Sequence, residues 1–132
     1  MRSVSDRESE VWNRAAFGGG ESPAPGDAAL AALLRLHGRA MSGGLLDALE
    51  SHPATELSAA VDGYRYFGLD AAAEVIRDVR ARLDSGPIAD EADDLESQAD
   101  ARYAAVIADD EVIVTAFRAL LLNRPSDFAP TD

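Results

Sequence analysis

The sequence predicts an all-α protein, a single compact helical domain of about six helices. Three observations carry this: alanine is the commonest apolar residue, apolar positions recur three and four apart through most of the chain, and short Gly/Pro/Ser clusters punctuate the periodic runs. With 132 residues and no cysteine, the chain suits one core that buries roughly two-thirds of its unfolded surface, without a disulfide framework.

Residues 7–17 read as a first helix, with Val11, Trp12, Ala15 and Ala16 on one face. GGGESPAPG at 18–26 is a flexible break by composition. It divides an N-terminal helix and Gly/Pro segment, residues 1–26, from a helical domain at 27–132. Asp27 is placed to cap a second helix, whose Leu30, Leu33, Leu34, His37 and Met41 fall at helical spacing. Gly43-Gly44 ends that helix. The reading assigns the left-handed conformation to Gly43 and close packing of the next segment, LLDALES, to Gly44.

Thr55 is the expected cap of the next helix, in which Leu57, Val61, Tyr64 and Phe67 recur and which Gly68 stops. Asp70 opens a further one, with Ala72, Ile76, Val79 and Leu83 inward and Arg77, Asp78, Arg80 and Arg82 outward, closed by Ser85-Gly86-Pro87. The last segment, DDEVIVTAFRALLLNRP, contains a β-branched run at Val112–Thr115 that would suit a strand. Ile113, Phe117, Leu120 and Leu121 keep helical spacing, and helix is the assignment.

Charge is the most unusual property. Twenty-four acids face twelve arginines and no lysine, for a formal net charge of -12. Such a chain repels nucleic acid and anionic membranes, so neither is an expected ligand, and its preferred partners are basic. The longest apolar run, AALAALL at 28–34, is too short to span a bilayer, and residues 1–20 lack the apolar stretch of a signal peptide. The expectation is a cytoplasmic protein of bacterial type.

Catalytic signatures are missing. There is no cysteine nucleophile, no His-Glu-x-x-His pair, no Gly-x-Ser-x-Gly elbow and no Gly-Lys-Ser phosphate loop; GGGE at 18–21 lacks the lysine and the preceding strand. The expectation is therefore a noncatalytic protein without cofactor or metal. A calcium loop counted from Asp90 would need glycine at its sixth position, where Leu95 stands. His37 lies on an apolar helix face, which suits a hydrogen-bonded core histidine, and His52 sits beside Pro53 in a loop.

The clearest functional signal is the helix at 90–107. At 100° per residue, Ala92, Leu95, Ala99, Tyr103 and Val106 fall within an arc of about 80°, opposite Asp90, Glu91, Asp93, Asp94, Glu96 and Asp100. Those six carboxylates occupy about 16 Å of helix axis, a charge roughly every 2.5 Å. Duplex DNA carries one about every 1.7 Å and one of its strands one about every 3.4 Å, so the density is phosphate-like.

The helix dipole favours Asp90, Glu91 and Asp93 in the first turn but not Glu96 or Asp100. Asp90 with Asp94, and Glu96 with Asp100, are like charges four residues apart, each destabilising by roughly 0.2–0.5 kcal/mol. Arg102 is the only cation between residues 83 and 117, and Asp109, Asp110 and Glu111 add negative charge at the next turn. Such a concentration suits either a plain solvated face or a binding face for basic groups.

The order of segments carries a resemblance. An apolar helix ending in Gly43-Gly44, then AAVDGYRYFGLDAAAEVI at 59–76 with its Phe67-Gly68-Leu69 corner, then the acidic helix and Asn123-Arg124-Pro125 leading to Phe128, is similar to the bacterial DNA-mimic protein domain family. The resemblance covers roughly residues 27–129. It implies an all-helical fold and, from the acidic member for which the family is named, imitation of DNA towards a transcription factor.

Two functional expectations follow. In the first, the acids at 90–111 bind the DNA-contacting surface of a basic protein, a regulator or a nuclease. In the second, a small enzyme or ligand-binding domain uses a pocket near the Gly43-Gly44 corner, with His37 or His52 working with Tyr64 or Tyr66. An enclosed polar cleft around His37 would favour the second, and a filled core there would count against it.

Overall fold

The computed structural model describes residues 4–86 and 89–131, and every described element is helical. Seven α-helices follow in order: α1 (Val4–Ala16), α2 (Pro25–Gly43), α3 (Leu45–Ser51), α4 (Ala54–Tyr66), α5 (Asp70–Asp84), α6 (Ala89–Val106) and α7 (Asp110–Asn123). A 3-10 turn, Pro125–Asp127, is the last of the described elements. The architecture is all-α. No helix among the described residues is long and apolar enough to cross a membrane.

Helix α2 is the centre, packed against α1, α3 and α4. Leu30, Ala31, Ala32, Leu33, Leu36, His37 and Ala40 are buried, so its middle is covered nearly all round, as befits an apolar helix rich in alanine. Met41, expected inward, is 55 % exposed. The buried arc is centred on Leu33, Leu36 and Ala40, which leaves Met41 on an open flank. Where α4 crosses α2, a Cβ on Gly63 would lie 2.5 Å from the Ala29 carbonyl oxygen. The two helices therefore touch backbone to backbone, and only glycine permits it.

Both expected helix caps sit elsewhere. Helix α2 begins at Pro25, and Asp27 stands three residues inside it, fully buried. Its carboxylate accepts the backbone N–H groups of Ala24 (3.0 Å) and Ala129 (2.7 Å) and pairs with Arg14 Nη2 (2.8 Å). Proline preset for the first helical position moved the start upstream, and the acid reaches back as a capping group from within the first turn. Likewise Pro53, not Thr55, precedes the first residue of α4, without a side-chain cap.

The N-terminal helix packs on this frame. Val11 and Ala15 are buried, Trp12 is half-buried against Phe117 with ring centroids 5.6 Å apart, and Ala16, expected inward, is exposed. Of the expected flexible break at 18–26, Pro25 and Gly26 belong to α2, and the rest takes a path that buries Gly19 against Ala31 and the Asp27 carbonyl. Arg7 donates to the Pro125 carbonyl, and Arg118 pairs with Glu8 at 2.9 Å. The C-terminal Phe128, 2 % exposed, closes the aromatic group against Phe67 and Phe117.

The helix corners decide how α3 and α5 are aimed. At the first, the two glycines exchange their expected roles: Gly43 is the last residue of α2, while Gly44 takes φ 93 and ψ 160. That region is open essentially to glycine alone, and the Gly44 N–H still closes α2 on the Ala40 carbonyl at 2.8 Å. At the second corner Gly68 has φ 76, as expected of it, with Gly68 N–H on the Arg65 carbonyl and Leu69 N–H on that of Tyr64. This is a Schellman closure.

The C-terminal segment settles as α7, helical through the β-branched run, with Ile113, Phe117 and Leu121 buried. Asp109 caps it, its side chain accepting the Glu111 N–H at 2.9 Å. A cap and three buried residues at helical spacing outweigh the strand preference of Val112–Thr115.

Candidate interaction face

The acidic helix forms as expected, within a residue of its assigned ends. Leu95, Ala99 and Tyr103 are buried and Val106 is half-buried, while the side chains of Asp90, Glu91 and Ala92 lie outside the described residues. Asp93, Asp94 and Glu96 are exposed, and none makes an ion pair or side-chain hydrogen bond with another described residue. They fan over about 160° of the helix's outer surface.

The cations that could neutralise them are engaged elsewhere. Arg102 reaches across to Asp78 of α5 at 3.0 Å, and Arg82 donates to Gln98 at 3.0 Å. Both contacts stitch the α5–α6 seam rather than the outer face. Three neighbouring carboxylates are left facing solvent, and only water and salt screen them.

Asp100, expected in the same face, belongs to a different construction. Its Oδ1 accepts the backbone N–H of Leu45 at 2.9 Å, a free donor at the start of α3. A carboxylate directed at the first turn of a helix satisfies an orphan N–H and favours the positive end of its dipole. The like-charge cost against Glu96 is offset locally, and Asp100 is a brace between α6 and α3.

Asp109, Asp110 and Glu111 do not join the face. They begin α7, at the far end of α6 and roughly 20 Å along its axis from Asp94. Asp109 is spent on its cap, and Asp110 Oδ1 lies 2.7 Å from His37 Nε2. Glu111 is exposed. The nine acids that the sequence grouped together therefore divide into an exposed trio, a brace, a cap and a histidine partner, with Glu111 apart and two lying outside the described side chains.

The residues of the second expectation are brought together in part. His37 is 4 % exposed; its Nδ1 lies 2.7 Å from the Tyr103 hydroxyl, which is in turn hydrogen-bonded to the Tyr64 hydroxyl. One set of roles uses every group. The carboxylate of Asp110 accepts from Nε2–H, Nδ1 accepts from Tyr103 O–H, and Tyr103 oxygen accepts from Tyr64 O–H. Burial pushes both tyrosines well above their ordinary pKa, so they act as neutral hydroxyls.

His52 and Tyr66 stand outside this chain. His52 Nδ1 donates to the Ala48 carbonyl at 2.6 Å at the end of α3, and Tyr66 donates to Asp127. The cleft beside Gly44 is lined by Met41, Leu45, Asp100, Tyr103 and Ile107, and His37 does not border it. His37 itself is buried, and both of its ring nitrogens are engaged. No group of described side chains could hold a metal ion.

Tyr103 is the member that sequence reasoning missed as a polar residue. Its helical position placed it on the apolar face, which is correct, yet a hydroxyl there requires a partner. His37, on the apolar face of another helix, posed the same requirement, and the pairing of the two was the available signal.

Comparison with characterised proteins and with solved structures gives no match. The family model of the DMP19-like proteins matches residues 22–123. The matched span runs from the segment before α2 to the last residue of α7 and so contains the central helix, both glycine corners and the acidic helix. The chain belongs to the DMP19-like protein family.

Proposed function

We propose that this DMP19-like protein is a noncatalytic interaction protein whose α6 carboxylates bind a basic partner, in the way that DNA phosphates meet the DNA-contacting surface of a regulator or nuclease. The observation that carries this reading is the exposed trio Asp93, Asp94 and Glu96, left unpaired while Arg102 and Arg82 are drawn to the α5 seam. The net charge of -12 supplies long-range attraction to any basic surface and speeds its approach.

Asp100 is set apart from the binding group because removing it would loosen α3. The discriminating variant is therefore Asp93→Asn, Asp94→Asn, Glu96→Gln. Partners captured from lysate at low salt are expected to be lost with this variant and released from the unaltered protein by added salt, with the helical circular dichroism signal unchanged. Capture of the same proteins by the variant at the same salt would overturn the proposal.

A further inference from the structure

Helices α4 and α5 lie alongside each other and leave an open groove of about 580 Å³ on the outer surface. Its floor is apolar, with Leu57 and Ile76 buried and Val61 half-buried. Asp62 stands on the α4 rim and Arg77 on the α5 rim. Neither makes a hydrogen bond or ion pair with any described residue, including each other.

That is unusual for this chain. Apart from Arg77 and Arg35, every described arginine donates a hydrogen bond to a carboxylate, carbonyl or amide oxygen or, as Arg124 does with Asp127, forms an ion pair. Within the same groove Arg80 is held by Asp84 and the Leu49 carbonyl, and Arg65 by Glu74. With twice as many acids as arginines, an unengaged guanidinium beside an apolar floor is a position where an incoming carboxylate would displace no existing partner of the arginine.

We propose that this groove is a docking site for an amphipathic helix of a partner protein, one flank acidic towards Arg77 and the other basic towards Asp62. The lining residues of α4 run from Ala54 to Arg65, about 16 Å, or three helical turns. That length fits apolar anchors spaced three and four residues apart laid on Val61 and its neighbours. The groove is open rather than closed over a small ligand, and the two unengaged charges on its rims, Asp62 on α4 and Arg77 on α5, are opposite and match the two flanks of one helix. None of the α6 carboxylates takes part, so this site is independent of the acidic face.

The test uses a fluorescent helical peptide of about 14 residues, net charge zero, with leucines on one stripe, glutamates on one flank and lysines on the other. The expected result is binding that perturbs backbone amide signals on α4 and α5. Val61→Lys should weaken it at least about tenfold and Arg77→Glu about fivefold, while Asp93→Asn, Asp94→Asn, Glu96→Gln leaves it unchanged. Arg77 is exposed, so its variant reports on docking even if a lysine at 61 disturbs folding. Absence of binding up to about 1 mM peptide, perturbations centred on α6, or affinity insensitive to Arg77→Glu would each overturn the proposal.

Discussion

Asp100 and Leu45, 55 residues apart in sequence, are joined by a 2.9 Å hydrogen bond from the Leu45 backbone to the Asp100 carboxylate. The bond fastens the acidic helix to the glycine corner. An acid that the charge pattern assigns to a binding surface is thereby part of the fold. Replacing Asp100 by alanine should cost about 1 kcal/mol, the usual worth of a helix N-terminal acceptor, and lower the thermal midpoint. Partner capture by the folded variant should be unaffected. Thermal denaturation paired with capture at a fixed temperature well below the midpoint checks both parts.

The two glycines of the corner should respond differently. Gly44→Ala forces a side chain into a conformation that costs about 1–3 kcal/mol, so a clear loss of stability is expected. Gly43 is helical, and a Cβ there would clash with Asp47 Oδ2, a flexible side-chain end. Asp47 is held by Arg39, whose hydrogen bond lowers its pKa. Alanine at 43 should displace that exposed pair and cost less than alanine at 44. Urea denaturation of both variants would settle the order, and an equal or reversed order would contradict this account of the corner.

In the chain that runs from exposed Asp110 through His37 to the buried Tyr103 and Tyr64, the roles that use every group have Tyr103 both donating and accepting and Tyr64 only donating. Tyr103→Phe leaves His37 Nδ1 without a donor and Tyr64 without an acceptor, a cost of roughly 2–3 kcal/mol. Tyr64→Phe removes one donor and leaves no buried donor unpaired, so it should cost less, about 1 kcal/mol. A double-mutant cycle between the two should give a strong coupling energy. Equal single effects with no coupling would mean that the hydroxyls do not act as a chain.

The alkaline behaviour follows from the tyrosines. The chain has three, and each has a raised pKa: Tyr64 and Tyr103 by burial, and Tyr66 to about 12, by burial and then by its hydrogen bond to Asp127. Unfolded tyrosines ionise near pH 10, so the unfolded state loses protons first and stability falls as pH rises. The Tyr66 contribution is complete below about pH 10 and lost between about 10 and about 12. Phenolate absorbance at alkaline pH should therefore appear late and together with unfolding. A tyrosine titrating near pH 10 in the folded protein would contradict the burial described here.

Much of this was readable in the sequence, because local rules decide it. The helices, the Gly68 stop and the apolar face of α6 all come from periodicity and turn chemistry within a few residues. What escaped depends on partners far away in the chain. Asp27 is a plausible cap by its neighbours, but Pro25 starts α2 upstream of it, and the distant Ala129 and Arg14 engage its carboxylate. Asp100 and Asp110 look like members of one acidic surface until Leu45 and His37 claim them. Charge patterning marks where acids lie along a helix and leaves open which of them a distant backbone or side chain has already engaged.

The central claim is that the free carboxylates of α6 stand in for DNA phosphates. Its most direct measurement is competition: immobilised protein is loaded with captured partners at low salt, then washed with duplex DNA. The account predicts that DNA releases basic, DNA-binding partners and that the variant Asp93→Asn, Asp94→Asn, Glu96→Gln never captures them. Partners held equally by the variant and undisturbed by DNA would contradict it.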